Sequence, residues 1–444
     1  MAKLSVLRMA LIPFCILFVS LPILLLLLTL ASAPAVAPLP VLSPAELSQL
    51  ENILLENAPE STSAVSQESI ILNTEELNLL LRYGLQLFEL SPRWAGRVAL
   101  SEGQIELDAN IDLTDSPYRF FLNFESTLGL EEGRLKLRRL TVGKLSLPAA
   151  LLDPLQNIIS QNLAAAFSIG AELAELTIHL SNLRISPTAV LFDVQWQPDL
   201  IARLSKQIQQ LFVSDEDPRR IDFYYTKITN TITAIPSDIR AVSLNALLVP
   251  LFSSASEASS VSGDPVAENK AAFQALSIYL NKEDITSITD SRNNEELSGP
   301  RSIEVRLQRR EDLAQHVVSI AAISSSAGAE FAQILSTTKE AYDARYRTGF
   351  SFSDLTANQV GIALAEFATK SERSAVEFQR RVMTLTDDYD YMPIVDNNVD
   401  GLSEAAFSDQ YRDRSSVQFT ERLREIRTSI AERPFFANLD QVDY

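Results

Sequence analysis

From Met9 to Ala45 the chain carries no charged residue, and Met9 to Leu30 is a run of mainly Leu, Ile, Val, Phe and Ala. A bilayer core needs ~20 apolar residues in a helix. The apolar region of a cleaved signal peptide is usually only ~7–15 residues long. Lys3 and Arg8 precede the run with no acid beside them, a bias that keeps the N-terminus in the cytoplasm. The run therefore predicts a cytoplasmic tip and transmembrane anchor over residues 1–32, with membrane contact through residues 9–30. Removal as a signal is the competing reading. Ala31-Ser32-Ala33 and Ala35-Val36-Ala37 have the small residues of a cleavage site, but Pro34 and Pro38 follow them directly. Proline lacks an N–H and fixes φ, so it fits badly just after a scissile bond held extended in a protease cleft. Either way, the rest of the chain lies outside the cytoplasm.

With 444 residues, 46% of them hydrophobic, the chain has room for roughly two or three domains and a sizeable core. One cysteine excludes an internal disulfide and a cysteine-based zinc site. Two histidines leave little room for a His-rich metal centre. The formal net charge of −19 opposes general nucleic-acid binding. No G-x-S-x-G, phosphate loop or dinucleotide fingerprint occurs, and nothing calls for a cofactor.

Ala33 to Pro44, with Pro34, Pro38 and Pro40, reads as a stiff spacer, residues 33–45. A short helix is expected over Pro44 to Asn57, a Ser/Thr/Ala-rich loop over Pro59 to Glu68, and a capped helix from Asn73-Thr74-Glu75-Glu76. The period then changes. Ile105, Leu107, Ala109, Ile111 and Leu113 alternate with Glu106, Asp108, Asn110 and Asp112, the pattern of a strand with one wet face. Tyr118 to Phe124, Leu135 to Val142, Leu176 to Ile185 and Val190 to Trp196 alternate likewise, while Leu151 to Phe167 and Leu200 to Val213 read as helices. Residues 46–215 thus predict an α+β domain with a mostly antiparallel sheet. Beyond the acidic break Ser214 to Pro218 the strands nearly vanish. Residues 219–444 predict a mainly helical domain, with helical patterns at Ile221–Ile235, Leu244–Ser254, Pro265–Leu280, Glu311–Ser325, Glu330–Arg345, Asp354–Phe367, Lys370–Thr386, Ser403–Tyr411 and Ser416–Ala431. Ile303, Val305 and Leu307 suggest one short strand, Ser253 to Asp264 a linker, and Ser287 to Gly299 a polar loop.

The stretches QHVVSIAAISSSAG, KEAYDARYRTGFSFSDL and DYDYMP resemble a pattern in uncharacterised membrane-anchored proteins of proteobacteria, over about residues 240–435. The resemblance implies an envelope setting and a shared helical domain. It carries no activity and transfers no functional residue. It places the anchor in the inner (plasma) membrane and the bulk of the chain in the periplasm.

The densest polar set of the helical domain is His316, Lys339, Glu340, Asp343 and Asp354. Glu340, His316 and Asp354 are the candidate catalytic residues, since a desolvated carboxyl serves as general acid or base. The plainer alternative is a solvated helix face and a hydrogen-bonded His316 at a helix edge. Asp396-Asn397-Asn398-Val399-Asp400-Gly401 matches the first half of a calcium loop. Asp396, Asn398, Asp400 and Glu404 are its candidate ligands, but Phe407 occupies the position of the closing glutamate. An Asx-rich turn capped by Ser403 is the alternative. In the sheet domain Phe120, Phe121, Phe124 and Phe192 are candidates to line an apolar cavity, against an ordinary core. The expected function is a non-catalytic binding or scaffolding module for an envelope protein or lipid. The alternative is a peptidoglycan-acting hydrolase using carboxylates of the helical domain.

Overall fold

In the computed structural model the described residues are 27–38, 40, 42–59, 64–87, 90, 93–114, 119–158, 175, 178–200, 203, 217–283, 285 and 301–439. The chain is α+β, with antiparallel sheets first and a helical C-terminal region, and it divides into two compact units. One holds residues 1–46 and 61–201, the other 47–60 and 202–444.

The first unit contains two sheets. The larger has strand order β3 (Trp94–Ser101), β4 (Gln104–Asp112), β5 (Phe121–Glu131), β6 (Arg134–Val142), β7 (Leu145–Ser146), with β1 (Leu30–Ala31) paired to β5. The β5–β6 turn places Glu132 and Gly133 at positive φ, the twist a two-residue hairpin loop demands. β2 (Ser66–Asn73), β9 (Ala189–Trp196) and β8 (Leu180–Ile185) form the smaller antiparallel sheet. Strands β2 and β3 fall where no strand was expected. β2 opens in a Ser-rich stretch, and Ala95, Gly96 and Ala99 dilute the alternation of β3. Helix α2 (Thr74–Leu87) begins at the expected cap. Asn73 Oδ1 accepts from the Glu75 and Glu76 N–H, and Glu76 Oε2 accepts from the Asn73 N–H at 2.8 Å. From this helix Asn78 gives and takes a hydrogen bond at the Val98 backbone, both 2.8 Å. It thereby satisfies an edge strand that would otherwise expose unpaired groups.

The proline-rich segment is not a free spacer. Asn110 and Asn123, opposite one another on β4 and β5, hold it: Val36 N–H donates to Asn110 Oδ1 at 2.9 Å and Ala35 N–H to Asn123 Oδ1 at 3.1 Å. Asn123 in turn donates to the Ala33 carbonyl. The strand face expected to be wet is therefore partly covered, with Asn110 buried. Most of the expected anchor lies outside the described residues. Leu27–Thr29 are helical and Leu30 already belongs to β1. Among the described residues no helix is long and apolar enough to cross a membrane.

The second unit is helical: α3 (Asp217–Ala234), α4 (Asn245–Ser262), α5 (Pro265–Leu280), α6 (Glu311–Ala327), α7 (Ala329–Tyr346), α8 (Phe352–Thr369), α9 (Glu372–Val382), α10 (Glu404–Tyr411) and α11 (Val417–Ala431). A short parallel pair, β10 (Ala241–Ser243) and β11 (Glu304–Arg306), lies among them. α5 is buried nearly all round, as a central helix must be. The expected Ser-rich linker is instead the second half of α4. Ser254, Ser259 and Ser260 donate to the carbonyls four residues earlier, which removes the competition that serine usually offers a helix. Phe252, Phe273, Phe367, Phe378 and Phe435 form an edge-to-face aromatic core.

Residues 47–60, expected in the α+β domain, group with this helical unit. They are most of helix α1 (Pro44–Glu56) and its exit. Leu50 is fully buried, Arg414 donates to Asn52 at 2.7 Å, and Tyr342 Oη donates to the Pro59 carbonyl at 2.9 Å. Glu51 is buried against Thr337 and Arg414, and burial pushes its carboxyl up to about 7 despite both partners. The sequence break at 214–218 cannot reveal this return, because α1 carries an ordinary amphipathic pattern that fits either unit.

Candidate functional site

Three helices bring the expected polar set together. His316 lies on the second turn of α6, Lys339, Glu340 and Asp343 on α7, and Asp354 on the first turn of α8. His316 Nε2 stands 3.4 Å from Asp354 Oδ2, and His316 Nδ1 is 2.9 Å from Asn358 Oδ1. One ligand atom from each of His316, Glu340 and Asp354 lies within 4.8 Å of the other two. Lys339 Nζ reaches Glu340 at 3.1 Å and Asp343 at 2.9 Å.

Local sequence sets these positions. Ser351 is the N-cap of α8, its Oγ accepting from the Asp354 N–H at 3.0 Å. Its own N–H donates to Glu340 Oε2 and its hydroxyl to Asp400 Oδ1. Gly349, at φ 93°, lies back to back with Gly401, and a Cβ on it would meet the Gly401 carbonyl carbon at 2.4 Å. Only glycine allows both the positive φ and this approach. Before α6, Gln308 and Arg309 adopt positive φ in a turn closed between Leu307 and Arg310 and tied to Asp388. That turn aims Arg310 at Asp312 (2.6 Å), Asp354 (3.4 Å) and Asp400 (3.4 Å).

The environment divides the charges. Glu340 is fully buried, not on the solvated helix face that sequence allowed. Burial raises its carboxyl, Asp354 reinforces the shift, and Lys339 and His316 oppose it. Burial also works against the Asp354 carboxylate. There the bond to His316 and the charges of His316, Lys339 and Arg310 prevail and lower its pKa. Burial likewise disfavours the imidazolium of His316, yet the bond and charge of Asp354 outweigh it and raise the pKa. Asn358, fully buried, has an amide nitrogen with no hydrogen-bond partner among the described residues.

Arg310, Ser351 and Asn358 were not singled out from the sequence. Asn358 had a weak signal: it falls at i+4 from Asp354, which puts both side chains on one face of the helix.

The calcium-loop expectation does not survive. Asp400 spends its oxygens on Ser351, Ser353 and Arg310; Asn398 bonds Phe352, Thr356 and Arg422; Glu404 pairs with Arg345 at 2.5 Å; and Asp396 is exposed. Among the described residues the carboxylates of Asp396, Asp400 and Glu404 do not gather within ligand distance of one another, as a calcium loop requires. The loop is instead the strap that fixes the start of α8. The apolar-cavity set is also dispersed. Phe120, 45% exposed, precedes β5 and Phe124 lies on it, whereas Phe192 belongs to β9 of the other sheet, paired with Ile70. The two sheets share no strand pairing among the described residues.

A cavity does occur elsewhere. In the helical unit a space of about 330 Å³ is lined by Tyr225, Tyr279, Leu280, Ile303 and Val305 together with the polar Lys282, Glu283, Ser302, Glu311 and Gln315. Comparison of the chain with protein-family models, curated proteins and solved structures finds no match.

Proposed function

We propose that this chain is a single-pass, membrane-anchored module of the bacterial envelope that binds an apolar envelope ligand and does not itself break bonds. The observation carrying the second half is the enclosure of Glu340. A carboxyl that protonates a glycosidic oxygen must reach the polysaccharide. Glu340 has no exposed surface, and its two oxygens are occupied by Lys339 and the Ser351 N–H. Such a group organises a helix junction better than it serves a cleft.

The first half rests on the apolar run Met9 to Leu30. With Leu30 committed to β1, 21 residues from Met9 to Thr29 remain for a helix. At 1.5 Å per residue they span about 31 Å, the thickness of a bilayer core. Docking of residues 33–36 on the sheet then sets the first unit directly at the membrane surface.

The cavity beside Tyr279 is the proposed ligand site. It lies at the lower end of the ~300–1,000 Å³ range of small-molecule pockets, and its lining of Tyr225, Tyr279, Leu280, Ile303 and Val305 beside Lys282, Glu283, Ser302, Glu311 and Gln315 suits an amphipathic molecule with an apolar segment and a polar head. Chain extracted from its native membrane should carry a bound apolar molecule detectable by mass spectrometry. Ile303→Trp, which fills the space, should reduce that molecule at least ~10-fold. A chain that carries none, or a variant that carries as much, contradicts the reading.

A further inference from the structure

We propose that His316, Glu340 and Asp354 bind a divalent metal ion of the zinc or manganese class. The first argument is orientation. Metal-ligating histidines characteristically donate the other ring N–H to a fixed acceptor, which sets the tautomer and turns the free nitrogen to the ion. Here Asn358 Oδ1, fully buried, takes Nδ1 at 2.9 Å and leaves Nε2 facing the two carboxylates.

The second argument is distance. His316 Nε2 and Asp354 Oδ2 are 3.4 Å apart, longer than the ~2.7–3.2 Å of a good N–H···O bond. Two ligands each ~2.1 Å from a tetrahedral ion stand ~3.4 Å from one another. Glu340, whose oxygens accept from Lys339 and the Ser351 N–H, would turn one of them to the ion in exchange for that bond, all three ligand atoms lying within 4.8 Å of one another.

The third argument is charge. Asp312, Glu340, Asp343, Asp354 and Asp400 share two permanent cations, Arg310 and Lys339. With His316 as imidazolium the five carboxylates face three cations, and a divalent ion that displaces its proton adds one further positive charge. Asn358, which holds Nδ1 of His316, also has a buried amide nitrogen without a partner among the described residues. A nitrogen with two carboxylates suits zinc and manganese rather than calcium, which takes six to eight oxygens.

The experiment uses the full chain in detergent, stripped with chelator and then titrated with Zn²⁺ and Co²⁺. One zinc per chain should survive dialysis, and Co²⁺ should give visible absorption bands of a low-coordinate site. His316→Ala should weaken zinc at least ~100-fold, and Asn358→Leu, which keeps the three ligands, ~10–100-fold. Glu404→Gln, in the loop resembling a calcium motif, should leave affinity within ~2-fold, as expected for a residue outside the coordination sphere. Far-UV circular dichroism checks that each variant is folded. If His316→Ala unfolds, Asn358→Leu and the Co²⁺ spectrum of the native chain decide. Absence of retained zinc in the native chain overturns the proposal, as does affinity unchanged in a folded His316→Ala or Asn358→Leu variant. The proton on Nε2 of His316 then serves the carboxylates together with Lys339 and Arg310.

Discussion

Gly361→Ala is expected to destabilise the helical unit by about 3 kcal/mol, the upper end of the usual overpacking cost. A Cβ at this position would stand 2.4 Å from the Val317 carbonyl oxygen, 3.1 Å from the Ala321 nitrogen and 3.2 Å from the Ile320 Cβ. The nearest contact is backbone, so no side-chain rotation relieves it, and α8 must move away from α6. These two helices carry Asp354 and Asn358 on one side and His316 on the other, one to two turns from the crossing. The substitution therefore acts on the polar centre as well as on the core. For a unit of this size ~1 kcal/mol corresponds to ~2–4 °C, so the thermal midpoint of the helical signal should fall by about 6–12 °C. Ile320→Ala should not rescue it, because the principal clash is with a carbonyl. A midpoint within about 1 °C of the native chain would show that α6 and α8 do not pack as described.

Leu50→Ala is the second large effect, about 3 kcal/mol for a fully buried leucine whose site cannot collapse completely. Its interest lies in which unit responds. Both tryptophans, Trp94 and Trp196, belong to the sheet-containing unit, whereas Leu50 belongs to the helical one. Ellipticity at 222 nm follows the helical unit, and tryptophan fluorescence follows the other. The helical transition should shift to lower denaturant while the fluorescence transition stays in place. A shift of the fluorescence transition alone would return residues 47–60 to the sheet-containing unit.

Much of the architecture was legible because it is written in local periods. The alternation at Ile105 to Leu113 gave β4, and the cap at Asn73 and Glu76 gave the start of α2. Pro265 to Leu280 was bounded correctly at both ends, and in the structure Asp264 caps its start. What escaped was non-local. Nothing in Ala33 to Pro44 announces that two asparagines some 75–90 residues later will hold it. Nothing in Leu47 to Glu56 names Arg414 as a partner. The serines of α4 read as linker because their bonds to the backbone are invisible in composition.

The site shows the same division. His316, Glu340 and Asp354 stood out as members of the densest polar set of the helical region, and the fold gathers them. That Glu340 is buried depends on the loop at Ser351, where Gly349 and Gly401 meet, and no periodicity encodes that approach. The calcium-like loop failed for a related reason: spacing specifies which oxygens are near one another in sequence, not which donors the fold sets against them.

Under the proposed function, residues 9–29 hold this chain in a membrane with both units on its outer face. Alkaline carbonate extraction of cells expressing the full chain, with an alkaline phosphatase reporter fused after Tyr444, tests it most directly. The account predicts that the chain stays in the membrane pellet with Met1 or Ala2 at its N-terminus, and that the reporter is active. Release of the chain into the soluble fraction, an N-terminus beginning at Pro34 or Pro38, or an inactive reporter would contradict it.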